Sequence, residues 1–148
     1  MTPLPASARW LGAAGLLPFL FTAAAAWLAA PEFQGVALFA LATYGMVILS
    51  FLGAVHWGLA LRAPEAEARC ATARLGLGVV PALLAWVALM LPPVIGLLTL
   101  AAGVLATAAV ETLAARRGLV PADYLRLRWG LSLGAAACLL AGAAAMAV

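Results

Sequence analysis

Five long apolar runs, joined by connections too short to hold a folded unit of their own, leave this chain few ways to fold. The runs are Trp10 to Ala30, Val36 to Leu61, Leu75 to Leu91, Pro93 to Leu113 and Trp129 to Val148. The hydrocarbon core of a bilayer is about 30 Å thick and takes about 20 apolar residues of helix, which is the length of these runs. None of them alternates polar and apolar residues as an outer-membrane barrel strand must. The pattern predicts an all-α polytopic membrane protein: a bundle of five transmembrane helices making a single integral membrane domain over residues 1–148.

Composition closes the other routes. Of the residues, 68% are apolar and 9% charged, where a soluble domain is about half apolar and about a quarter charged. There is too little polar surface to cover a water-soluble fold, and too much apolar surface for a disordered chain. A nucleic-acid binder, whose basic face must sit in water, is excluded on the same ground.

Proline punctuates the runs. Pro31 ends the first helix, since it lacks an N–H and restricts the residue before it. Pro92 and Pro93 separate the third run from the fourth as a tight helical hairpin. Pro18 and Pro81 lie inside runs, where they are expected to kink the helix rather than end it.

The basic residues, all eight of them arginine, fall in alternate connections. Arg9 precedes the first run; Arg62, Arg69 and Arg74 lie between the second and third; Arg116, Arg117, Arg126 and Arg128 lie between the fourth and fifth. Five crossings put them all on one side, and cytoplasmic loops carry the excess of arginine. The expected layout therefore has the N-terminus in the cytoplasm and the C-terminus outside. Trp10, Trp57 and Trp129 sit near the arginine-bearing ends, Trp27 and Trp86 near the others, as interfacial anchors do. A rival reading makes the first run a cleaved signal peptide with Arg9 as its basic region. Trp27 and Pro31 suit that poorly, and an intact mass separates the two readings.

The connection from Arg62 to Arg74 reads as a short surface helix running into the third span, with Pro64 at its first position and Glu65 and Glu67 at its positive end. Its charges suit a solvated face. In the next arginine-rich connection Gly118 is placed to cap the fourth helix and Pro121 to open the fifth, with Asp123 in its first turn. Tyr124, Arg126, Arg128 and Trp129 are expected at headgroup level, where arginine favours anionic lipid. Cys70 and Cys138 are too far apart in depth to pair, and their spacing matches no redox or zinc motif.

Two ionisable residues fall inside the runs. His56 stands six residues before Arg62 and Glu111 five before Arg116, so both lie about 8 Å inside the same boundary. An isolated buried charge at that depth is unfavourable by a few kcal/mol, an expense that pairing with each other, or with an arginine reaching inward, would offset. Gly103, Thr107 and Glu111 recur every four residues, and Ser50, Gly53 and His56 every three. Such small and hydroxyl stripes are expected to face the interior. Gly130, Gly134, Cys138 and Gly142 form a further stripe on the fifth helix, read as internal packing. Two readings of His56 and Glu111 stand open. One is an interhelical polar clamp. The other is a pocket open to the cytoplasm, with Ser50, Tyr44 and Trp57 nearby, for a proton-coupled solute, a quinone or haem. Metal binding is disfavoured with one histidine and few carboxylates, two-histidine haem ligation would need a homodimer, and no nucleophile triad or phosphate loop is present. Hence no cofactor and no enzymatic activity are expected.

The segment from Tyr44 to Gly58, with its Ser50-Phe51-Leu52-Gly53 and His56-Trp57-Gly58, resembles domain-of-unknown-function family 3429. That family occurs in proteobacteria and includes the vertebrate mitochondrial transmembrane protein 69. The opening Leu11 to Phe19, Pro81 to Trp86, and Gly118 to Pro121 with Tyr124, Leu127 and Arg128 are similar to it as well. The chain departs from the family pattern at Asp123, where an aromatic is usual, and at Glu111, where the family tends to carry Asp and the charge is kept. The resemblance implies a small multi-span protein of the bacterial inner membrane and no assigned activity. The near absence of loops and of chemistry favours an accessory or assembly partner of a larger membrane complex, in contact with the bilayer and another membrane protein. The oligomeric state is left open.

Overall fold

The computed structural model describes residues 4–62, 71–116 and 121–146. They form six helices: α1 (Ala6–Ala14), α2 (Leu17–Leu28), α3 (Pro31–Leu61), α4 (Ala71–Ala88), α5 (Pro93–Arg116) and α6 (Ala122–Ala145). Five stretches are long and apolar enough to cross a membrane, α1 and α2 together making the first, Ala6–Leu28. The chain is a multi-pass helical membrane protein. Several helices overrun the apolar runs, while α2 and α4 stop short of theirs, at Leu28 and Ala88. α3 starts at Pro31 rather than Val36 because proline suits a first turn and Glu32 suits its positive end. α5 and α6 extend past Leu113 and begin before Trp129 for a similar reason, since polar residues continue a helix that hydropathy alone ends early.

Pro18 does more than kink the first run. It stands in the opening turn of α2, and α1 ends four residues before it, at Ala14. Gly15 and Leu16 keep right-handed helical angles, but Leu16 N–H bonds back three residues to Ala13 at 3.0 Å. Without an amide hydrogen, Pro18 cannot continue the four-residue ladder, so the chain tightens for one turn. The Tyr44 hydroxyl donates to the Gly15 carbonyl at this break, 2.9 Å away. Pro81, by contrast, stays inside α4 as expected.

Helix directions follow from which ends touch. Gly12 lies under Leu131, Gly134 under Leu16, and the Trp27 indole donates to the Ala141 carbonyl at 2.9 Å. The first span and α6 therefore run the same way, as the first and fifth of five crossings must. Gln34 closes the far end by donating to the Ala26 and Ala145 carbonyls, each 3.2 Å away. The ends of α3 and α5 and the starts of α1, α4 and α6 gather at the opposite end, with Arg9, Arg62, Arg74, Arg116, Arg126 and Arg128.

α3 is the central rod, touching α2, α4, α5 and α6. Leu41, Leu49, Leu97, Leu100 and Leu139 are fully buried around it. Two glycine pairings bring backbones close. A Cβ on Gly53 would strike the Gly78 carbonyl of α4, and one on Gly96 would strike the Ala88 carbonyl across the Pro92–Pro93 hairpin. On α6, Gly134, Cys138 and Gly142 face inward, with Leu16 over Gly134 and Leu41 over Gly142, whereas Gly130 faces open space. Large apolar side chains such as Phe21, Phe39, Phe51 and Leu28 are exposed on the outside, where lipid covers them. Of the connection from Arg62 to Arg74, residues 71–74 open α4, while the start of the expected surface helix over 63–70, the Gly118 cap and Cys70 fall outside the described residues.

Candidate functional site

Four helices meet at the arginine-bearing end, and each contributes a buried polar side chain. α3 supplies His56, α4 Arg74, α5 Thr107 and Glu111, and α6 Arg128 and Ser132. The α5 stripe is interior as expected: Gly103, Thr107 and Glu111 are all buried. On α3, Gly53 and His56 are buried and Ser50 is half-buried.

Arg128 organises the cluster. Its Nε donates to Glu111 Oε2 at 2.9 Å, one Nη to Ser132 Oγ at 2.6 Å and the other Nη to Thr107 Oγ1 at 2.6 Å. Thr107 passes its own hydrogen to the Val104 carbonyl, 2.8 Å away. Glu111 is only 2% exposed and Arg128 5%, so this ion pair is removed from solvent. Charge-assisted bonds of this length are the strong class of hydrogen bond. The second carboxylate oxygen, Oε1, has no hydrogen-bond partner among the described residues and faces His56 Nε2 at 3.6 Å. The guanidinium groups of Arg128 and Arg74 both act electrostatically on His56, and Tyr124, half-buried one turn before Arg128, is within electrostatic reach of Glu111. Beside the cluster, the Trp129 indole donates to Thr112 Oγ1 at 2.9 Å, a second tie between α5 and α6.

Of the five residues read as a pocket, the structure brings together His56 and Glu111. Tyr44 is spent on the Gly15 carbonyl and packs edge-on against Phe19, ring centres 4.8 Å apart. Trp57 turns away to cover Gly78 and donates to the Leu75 carbonyl of α4 at 3.1 Å. Neither converges on the pair. Two arginines are placed differently from the expectation: Arg128 points into the bundle rather than out toward lipid headgroups, and Arg74 is not in a connection but buried on α4. Arg126 does reach solvent, 3.3 Å from Asp123. The signal that could have found Arg128 is its four-residue spacing to Ser132, which puts a hydroxyl on the same helical face.

A small apolar cleft of about 190 Å³ opens at the other end of the bundle, between Leu38 and Phe39 of α3, Leu97 of α5 and Met146. Among the described residues, no ionisable side chain lines it. Among the described residues no three His, Cys, Asp or Glu side chains come together as a metal site would need.

Comparison with known proteins agrees with this architecture. Transmembrane protein 69 of Xenopus tropicalis is 44% identical over 87 residues, covering 58% of this chain. The match takes in 33% of that protein's length, so the chain spans about a third of the curated relative it matches. No solved structure matches. Residues 4–144 match the family described as "Protein of unknown function (DUF3429)". With nearly its whole length matched, the chain belongs to the DUF3429 family.

Proposed function

We propose that this chain is a non-enzymatic accessory or assembly partner of a larger membrane complex. It works in the bacterial plasma membrane with its arginine-bearing end, and so its N-terminus, in the cytoplasm. One observation carries the reading: the buried charges are spent on holding helices to each other. Arg128 commits three donors to Glu111, Ser132 and Thr107, which is how a clamp is built, since a ligand-binding cation keeps donors for its ligand. The exposed apolar flanks of α2 and α3 then offer broad surface to lipid and to a neighbouring membrane protein.

The carrier reading finds support in Glu111 Oε1 facing His56 at 3.6 Å without a hydrogen-bond partner among the described residues, but Tyr44 and Trp57, which it places nearby, are engaged elsewhere. Affinity purification of the full chain in mild detergent tests the leading reading. A stoichiometric membrane partner is expected, whose complex falls in abundance when the chain is deleted. A chain that always elutes alone contradicts it.

A further inference from the structure

We propose that two copies of this chain pair in the membrane along the outward face of α6, with Asp123 and Arg126 of each copy closing the contact at the arginine-bearing end. The pairing uses a different face from the flanks of α2 and α3 and does not depend on the accessory role.

One side of α6 packs on α5, α2 and α3. On the other side Gly130, Leu133, Ala137, Leu140 and Ala144 are all exposed. They follow one another in steps of three and four residues, so they form a single line along the helix, and they alternate a small residue with a leucine. A Cβ on Gly130 would meet nothing within 4 Å. The outward sides of α2, α3 and α4 are built differently, with Phe21, Phe39, Phe51, Leu83 and Trp86 exposed. Large side chains hold a second backbone away, whereas small ones let it approach and gain packing contacts that lipid tails do not supply. Leucine between small residues, in steps of three and four, is the pattern that interlocks at the shallow crossing of a left-handed helix pair.

The charges name the occupant. Asp123 and Arg126 continue the same line by two positions, both exposed and 3.3 Å apart. Among the described residues Asp123 is the one exposed carboxylate at the arginine-bearing end, since Glu111 is buried and Glu32 opens α3 at the other end. A second copy inserts in the same orientation, so its α6 runs parallel to the first. Approach along α1, α3 or α5 would bring the exposed Arg9, Arg62 or Arg116 against its own kind. Approach along α6 brings arginine to a carboxylate, because Arg126 lies about 4.5 Å along the axis from Asp123 and reaches diagonally to the Asp123 of the other copy. The face is therefore self-complementary, as a two-fold pair requires.

Stepwise photobleaching of the full chain, tagged with a monomeric fluorescent protein and held in phospholipid vesicles, counts copies with no other protein present. Two-step traces are expected, their share rising with the protein-to-lipid ratio. Ala137→Phe, which sets a bulky ring in the middle of the line, should raise the ratio needed for half-pairing about tenfold. Val80→Phe, on the outward side of α4, should leave it unchanged. Arg126→Asp should weaken pairing, and adding Asp123→Arg, which exchanges the two charges, should restore it. Oxidation with copper phenanthroline, in a chain with Cys70→Ser and Cys138→Ser, should link Ala137→Cys to its own copy and leave Val80→Cys unlinked, and this readout stands even if Ala137→Phe does not fold. Single-step traces at every ratio overturn the proposal. So does an Ala137→Phe curve that matches the wild type, a Val80→Phe curve weakened as much, a charge exchange that fails to restore pairing, or a link at Val80→Cys rather than Ala137→Cys.

Discussion

Replacing Arg128 with methionine keeps most of the side chain's volume and removes every donor. Glu111, only 2% exposed, is then left with a buried and uncompensated carboxylate. Breaking a buried pair from one side costs about 3–5 kcal/mol. The lost bonds to Thr107 and Ser132 add about 0.6 kcal/mol each on the scale of interhelical bonds in membranes, so the charge dominates. Glu111→Leu strands the guanidinium instead, at a similar cost of about 3 kcal/mol. The double variant removes both charges and refills the space with apolar groups, which is often near neutral. The two single losses should therefore not add, and the coupling should exceed about 2 kcal/mol. Reversible unfolding in mixed micelles, followed by tryptophan fluorescence, measures all three variants. A loss under about 1 kcal/mol for Arg128→Met, or single losses that simply add in the double variant, would refute the argument, since either means that the two groups do not meet away from water.

Three further outcomes are expected. Gly53→Ala drives a Cβ into the Gly78 carbonyl and should destabilise the α3–α4 contact by about 1–3 kcal/mol, whereas Gly58→Ala, which meets nothing within 4 Å, should stay within about 0.5 kcal/mol; chemical unfolding of both compares them. Tyr44→Phe keeps the edge contact with Phe19 but strips the Gly15 carbonyl of its donor, so a loss of about 1 kcal/mol is expected by the same assay. Reporter fusions at the N-terminus and just after Arg62 should lie on one face of the membrane, and a fusion at the C-terminus on the other, because five crossings separate the ends.

The architecture was legible because run length and proline placement are properties of the sequence itself. Counting inward from the arginines also put His56 and Glu111 at one depth, and the two do meet. What the sequence hides is azimuth. Trp57 follows His56 directly, but one residue turns a helix by about 100°, enough to send the indole to α4 and the imidazole to α5. Tyr44, twelve residues earlier, is rotated about 120° from His56 and so finds the break before Pro18. Arg128 was hidden for a different reason. Arginine near a helix end ordinarily reaches for headgroups, and only its neighbours in space, Glu111 and Thr107 on another helix, turn it inward. Pro18 ended a helix rather than bending one because the missing amide hydrogen tightens the chain to a three-residue bond at Leu16, and proline placement alone does not say whether a run bends or breaks.

The contact between Arg128 and Glu111 is what the account stands on, and it can be read directly in a bilayer. Magic-angle-spinning NMR of the full chain, labelled with ¹⁵N in arginine and ¹³C in glutamate, reports dipolar contact between a guanidinium nitrogen and a carboxylate carbon. Arg128→Lys identifies the signal by its disappearance. The 2.9 Å bond from Arg128 Nε to Glu111 Oε2 predicts a strong contact that this variant abolishes. A spectrum in which Arg128→Lys removes no contact to a carboxylate would contradict it.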